Sequence, residues 1–243
     1  MISVLDDGLL RGDGVFEVIR LYAGRPYALH EHLERMQRSA DNLRLPIDTG
    51  AVAADVRSLI AASRPHDVAL RTLVTRGGHR VSLVEELPAL PATLALSSVI
   101  YAPTRVLDQV KSLSYGANML CSRLAHERGF DEALMVTPHG RVLEAPTSSF
   151  FWIRDGRVHT PPLEDHLLDS ITRRVVLAVG EVSETSTTMD DVRGADELFV
   201  ASSLKEVVAV HAVDEVQVPA PGPLTRELAA QVSRSIAAAV AAA

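Results

Sequence analysis

The chain has 243 residues, 47% of them hydrophobic and 23% charged, with a formal net charge of -7. That balance is globular rather than disordered, lacks the basic footprint of a nucleic-acid binder, and suffices for one large domain or two small ones. A single cysteine, Cys121, excludes an internal disulfide framework and a multi-cysteine metal site, and it suits a reducing compartment.

Residues 1–7 show neither a basic region nor a long apolar run, and the Ala-rich stretch 236–243 is too short to cross a bilayer, so a cytoplasmic protein is expected. A mean hydropathy of +0.13 implies more apolar surface than a lone monomer needs, and hence an oligomer. The stretch 11–20 reads Arg-Gly-Asp-Gly-Val-Phe-Glu-Val-Ile-Arg. Its glycines look like the start of a dinucleotide fingerprint, but Glu17 occupies the third glycine position and the run continues as a strand, which excludes a Rossmann site. Strand alternation puts Phe16, Val18 and Arg20 on one face, where Arg20 needs an anion, either a structural carboxylate or a substrate. A short strand is expected at 27–29. A helix follows, with Leu33, Met36, Ala40 and Leu43 as its buried stripe and Arg35 beside it, able to reach inward. His30 and His32, two apart, fall on different helix faces and make no metal pair. Next come a helix at 52–62 capped by Asp48 or Thr49, a strand at 68–75, the loop Arg76-Gly-Gly-His79-Arg80 and a strand at 92–99. Pro103 and Thr104 mark a linker.

The second half opens with an extended run at 105–110, then Lys111, then a helix at 118–128 whose Met119, Leu120, Leu124 and Ala125 recur at helical spacing. A lysine partly desolvated at such a junction is expected to have a lowered pKa, and its neutral amine can form a Schiff base with a carbonyl compound. A solvated surface lysine is the plainer alternative. After a strand at 132–136 comes Glu144, near Thr147, Ser148 and Ser149, either as a turn cap or as a buried hydrogen-bond partner for a heterocycle. Asp169 or Ser170 caps a helix entered at Ile171 and Thr172, whose free amides suit an anion. The stretch 195–203 is a strand ending in the hydroxyls Ser202 and Ser203. A final amphipathic helix, 224–241, reads as packing.

Taken in order, GDGVFEVIR (12–20), HEHLERM (30–36), VTRG (74–77), the Lys111 segment, DEALMV (131–136) with Glu144, TPPLE (160–164), SITR (170–173) and ADELFVASS (195–203) resemble the class IV aminotransferases, pyridoxal phosphate enzymes that include D-amino acid and branched-chain aminotransferases and 4-amino-4-deoxychorismate lyase. The resemblance implies an α/β (α+β) fold of two domains: a small N-terminal α/β domain, 1–104, and a larger C-terminal domain, 105–243, with a barrel-like sheet and flanking helices. It implies pyridoxal 5'-phosphate as cofactor, bound to Lys111 as a Schiff base, with Lys111 also moving the substrate's alpha proton. Glu144 would hold the pyridine nitrogen protonated. Arg35, the amides of Ile171 and Thr172, the Thr172 hydroxyl and Ser203 would hold the phosphate. Phe16 and Arg20 would face the substrate, with Arg76, His79 and Arg80 as candidates for its carboxylate. An amino acid and a 2-oxo acid would be the substrates and a homodimer the assembly, with no metal, nucleic acid or membrane partner.

Transamination is the activity the resemblance favours. The lyase, which releases pyruvate and 4-aminobenzoate, is the first alternative, and a noncatalytic cofactor-binding or structural protein is the second. Val18 stands where the lyases usually have threonine. Gly116 replaces the tyrosine that branched-chain enzymes carry five residues past the lysine, with Tyr115 one position earlier. The carboxylate loop is short and reads Gly-Gly-His-Arg, unlike the D-amino acid enzymes. Ser149 and Ser170 replace the family's usual asparagine and glycine. Family members usually carry an edge strand and hairpin before the GDG segment, whereas this chain begins almost at the motif, so either the start site is misassigned or that edge strand is missing.

Overall fold

In a computed structural model, residues 2–242 are described and form two compact units. Within the described residues, the first unit comprises residues 2–88, 109–115 and 236–242, and the second Ala89–Asp108 and Gly116–Ser235. The sequence reading drew one boundary near residue 104. The chain instead changes unit several times, and the Lys111 segment belongs with the first.

The first unit contains α1 (Asp7–Arg11), β1 (Gly14–Tyr22), β2 (Arg25–Pro26), α2 (Leu29–Asn42), α3 (Thr49–Ser63), β3 (Val68–Thr75) and β4 (Arg80–Glu85). Its antiparallel sheet runs β2-β1-β3-β4. Val15, Ile19 and Leu21, alternate residues of β1, bury completely against Met36 and Ala40 of α2 and Val52 and Val56 of α3. Asp48 caps α3 by accepting from the Ala51 amide at 2.9 Å, as one of the two expected caps. The expected strand at 27–29 does not form: Ala28 is left-handed at φ 52° and starts α2. Arg80, read as the end of a loop, instead opens β4, a strand the sequence reading did not mark.

The second unit contains β5 (Thr93–Ile100), α4 (Gly116–Glu127), β6 (Glu132–Val136), β7 (Arg141–Val142), β8 (Ser149–Arg154), β9 (Arg157–Thr160), α5 (Ile171–Val179), β10 (Val182–Glu184), β11 (Thr187–Thr188), α6 (Met189–Arg193), β12 (Glu197–Ser202), β13 (Glu206–Val213), β14 (Val216–Gln217) and most of α7 (Pro223–Ala242). Its mixed sheet is ordered β10-β9-β8-β12-β13-β5-β6-β7-β11, with β14 beside β13. Phe150, Trp152, Leu198, Val200 and Val210 fill its core from neighbouring strands, and Phe151 stacks on Phe199 at 4.6 Å on the other face. The expected extended run before Lys111 is corrected: Arg105–Leu107 is a 3-10 turn closed by the Leu107 amide on the Thr104 carbonyl. The mixed α/β class read from the sequence is the class observed. Among the described residues, no helix is long and apolar enough to cross a membrane.

Candidate active site

The first unit builds the surroundings of Lys111 from β1 outward. Gly12 closes α1 in the left-handed region at φ 69°. A Cβ on Gly14 would stand 2.5 Å from the Val74 carbonyl and 2.6 Å from Leu113 Cδ1, so only glycine lets residues 111–113 lie on β1 beside β3. There the Phe16 amide donates to the Lys111 carbonyl at 3.1 Å, the Leu113 amide donates to Gly14 at 2.9 Å, and Ser112 bridges Val15. The Lys111 amide donates to Ser39 Oγ of α2 at 3.1 Å. With its backbone fixed on two elements, half-buried Lys111 places Nζ 4.5 Å from the Phe16 ring centre and 5.9 Å from that of Tyr115, two rings packed edge to face. Aromatic faces attract an ammonium and limit its range of positions.

On the opposite face of β1, Glu17 shares the buried side with Val15 and Ile19 and has no exposed surface. Such a carboxylate needs partners, and α2 provides them one turn apart. Arg35 donates Nε and Nη2 to Glu17 at 2.8 and 2.6 Å, and His32 Nδ1 lies 2.7 Å from Glu17 Oε2. Burial alone would raise the Glu17 pKa; the Arg35 charge, with the Arg35 and His32 hydrogen bonds, outweighs it and holds the carboxyl below its ordinary range. His32 is depressed chiefly by burial, against the opposing pull of Glu17. Arg35 therefore sits where the sequence reading expected it, inward from α2, braced by a carboxylate that reading did not single out.

The substrate candidates divide. Phe16 and Arg20 do share a face, with Arg20 Cζ 4.6 Å over the Tyr22 ring. Arg76 grips Asp13 at 2.9 and 3.0 Å and also donates to the carbonyls of Arg44 and Leu43, tying the end of β3 to the GDG loop and to the end of α2. His79 lies 3.7 Å from Asp6, and Arg80 pairs with Asp55 of α3 at 2.6 Å. The guanidinium placed over Phe16 is instead Arg71 of β3, 5.4 Å from the ring centre, which the sequence reading passed over. Its signal was present in the strand alternation, since Arg71 pairs in register with Val18, the neighbour of Phe16 and Arg20 on that face.

In the second unit, Glu144 follows β7, and its Oε1 accepts from the Leu168 amide at 3.2 Å, just ahead of α5. Ser170, not Asp169, caps α5: its hydroxyl accepts from the Arg173 amide. The amides of Ile171 and Thr172 occupy the first turn, where a helix lacks internal acceptors. Thr172 Oγ1 and, at the start of β8, Ser149 Oγ are buried without a hydrogen-bond partner. Buried hydroxyls are normally paired, so these two suit an acceptor-rich anion such as a phosphate. Ser203 lies in the turn between β12 and β13, half-buried. Cys121 is buried packing in α4, and burial pushes its thiol pKa up. Among the described residues no group of His, Cys, Asp or Glu side chains is arranged to hold a metal ion.

The sheet and these motifs define a cofactor-dependent enzyme of the aminotransferase type, and comparison with known proteins agrees. The family model for class IV aminotransferases matches residues 14–213, and the chain belongs to that family, whose members are pyridoxal phosphate enzymes. A Methanocaldococcus jannaschii protein provisionally named a branched-chain-amino-acid aminotransferase is 32% identical over 88% of this chain and 83% of its own length. A D-alanine aminotransferase of Listeria monocytogenes is 29% identical, over 93% and 88% respectively. The branched-chain aminotransferase of Thermoproteus uzoniensis superposes with a TM-score of 0.90 at 26% identity, covering 98% of this chain and 90% of that one.

Proposed function

We propose that this aminotransferase moves the amino group of an amino acid of the D- or branched-chain type onto a 2-oxo acid, in two half-reactions that share Lys111. The observation that carries the reading is the mounting of Lys111: backbone fixed by β1 and Ser39, and amine held against two aromatic rings. Bound pyridoxal phosphate would supply the aldehyde that takes up the amino group and the ring that accepts electron density. The Lys111 amine would hold that aldehyde and, once freed by an incoming substrate amine, would serve as the base that moves the substrate's alpha proton. Glu144 would keep a proton on the pyridine nitrogen. Arg35, Ser203, the Thr172 hydroxyl and the amides of Ile171 and Thr172 would hold the phosphate by charge and hydrogen bonds.

We assign the substrate side to Phe16, Arg20 and Arg71. Arg76 and Arg80, engaged by Asp13 and Asp55, shape the scaffold behind it, with His79 at its margin. The assembly proposed is a homodimer, supported by the exposed Val4, Leu5, Leu9 and Leu10 of the first unit and Ile100 and Val106 of the second. A cytoplasmic location fits the single reduced cysteine.

The test is a spectral titration of purified protein loaded with pyridoxal phosphate. An amino acid should bleach the visible band and a 2-oxo acid restore it, and D-alanine, L-alanine and L-leucine in turn show the preferred hand and size. Lys111→Ala should abolish the band. A well-folded wild-type protein with no band, or one that releases pyruvate from aminodeoxychorismate and answers no amino acid, would overturn the reading.

A further inference from the structure

Lys205, in the turn between β12 and β13, has no part in the roles assigned above, yet its ammonium is almost enclosed, with 11% of the side chain exposed. It donates to Glu132 Oε2 at 2.7 Å, Ser148 Oγ at 2.8 Å and Thr147 Oγ1 at 2.9 Å, so its three protons have three acceptors. Thr147 in turn donates to Glu132 Oε1 at 2.8 Å, which closes a ring of lysine, carboxylate and hydroxyl. One side chain thereby joins the start of β6, the loop between β7 and β8, and the turn between β12 and β13. The two ends of that loop are coupled as well: the amides of Ala145 and Ser148 each donate to the other's carbonyl, so a fixed Ser148 fixes Ala145, the neighbour of Glu144. On the other side of Ser148 is Ser149, with its buried, unpartnered hydroxyl. Two residues before Lys205 is Ser203.

We propose that Lys205 is a positioning residue for the cofactor: it sets the Glu144–Ser149 loop and the Ser203 turn at one separation, so that the groups for the pyridine nitrogen and for the phosphate keep register. The inference rests on the function proposed above. A mobile loop would have to be ordered each time the cofactor bound, and a clamp made from within the same unit removes that cost in advance. Lys205 itself need not touch the cofactor, because all of its donors are spent on the clamp.

Removing Lys205 alone strands Glu132, so the informative variant removes both charges, E132Q/K205M, with Thr147→Val as a milder companion that leaves the ion pair in place. Each is compared with wild type for apo-protein melting, pyridoxal phosphate affinity by fluorescence quenching, and the pH titration of the visible band. Expected is a cofactor affinity at least about tenfold weaker in the double variant, the equivalent of one charged hydrogen bond. Its band titration should move while apo-protein melting stays close to wild type, and Thr147→Val should show the same shifts at smaller size. Wild-type affinity and band titration in folded Thr147→Val, or in the double variant, would overturn the proposal. A wild-type protein without any visible band would overturn the functional reading as well, so the two failures are distinguishable.

Discussion

Glu17→Gln tests the ion cluster beneath β1. Glu17 and His32 have no exposed surface, Arg35 is 4% exposed, and the three contacts to the carboxylate span 2.6 to 2.8 Å. Glutamine keeps the shape but neutralises the charge and turns an amide donor toward groups that are themselves donors. Breaking a buried pair from one side costs about 3–5 kcal/mol. For a chain of this size, each kcal/mol corresponds to about 2–4 °C in melting temperature, so the expected fall is about 6–20 °C. The pH dependence has a definite sign. Because the Glu17 carboxyl is held below its ordinary range in the fold, its contribution is fully present above the unfolded value of about 4.3 and is lost as pH falls through the lower folded value. Wild type and variant should therefore converge in acid and differ most near neutrality. Thermal unfolding followed by circular dichroism measures this directly. E17Q/R35M, with no stranded charge, should recover part of the loss. A Glu17→Gln protein that melts within about 1 °C of wild type at neutral pH would refute the reasoning.

Other outcomes follow from the same geometry. Burial depresses the His32 pKa, so below about 6.5 the unfolded chain takes a proton that the fold refuses, and stability declines with falling pH; His32→Asn should flatten that part of the melting profile. Thr172→Val exchanges a buried, unpartnered hydroxyl for a methyl, so the apo-protein should melt at or above the wild-type temperature while pyridoxal phosphate affinity falls about tenfold. Arg76→Ala, which loses Asp13 and two carbonyl partners at a partly exposed site, should cost about 1–2 kcal/mol of stability in urea unfolding with little change in amino acid KM. Arg71→Met should do the reverse, raising KM about tenfold or more with the melting temperature nearly unchanged, because its pairing with Glu85 is a third exposed on both sides.

Much of this architecture was legible in the chain. The alternation in 14–22 and the apolar stripe of α2 gave the β1–α2 layer, and Ser170 and Asp48 announced their helices by capping chemistry. The misread pieces share a cause: their conformation is set by neighbours distant in sequence or by their absence. Residues 105–107 are apolar enough for a strand, but Val106 is 77% exposed with no strand beside it, so a local turn wins. β4 is an edge strand with no fully buried residue, so its period was weak. At the site, single-residue chemistry pointed to Lys111, Glu144 and Thr172. The groups that brace them were harder to see, because Glu17 with Arg35, and Lys205 with Glu132, are joined only by folding. Arg20 was flagged as the ion needing a partner, whereas the same alternation placed the costlier one, Glu17, among Val15, Ile19 and Leu21.

The route of the chain through the two units bears on how the protein is made. The first unit draws on residues 2–88, then 109–115, then 236–242, with the second unit's segments in between. A ribosome delivering this chain has synthesised nearly all of β1's immediate layer before Lys111 exists, and the closing turns of α7 come only after the second unit's segments. Lys111 thus arrives after the strand it lies along has already been made. Fragments cut near residue 104 would separate that strand from Lys111.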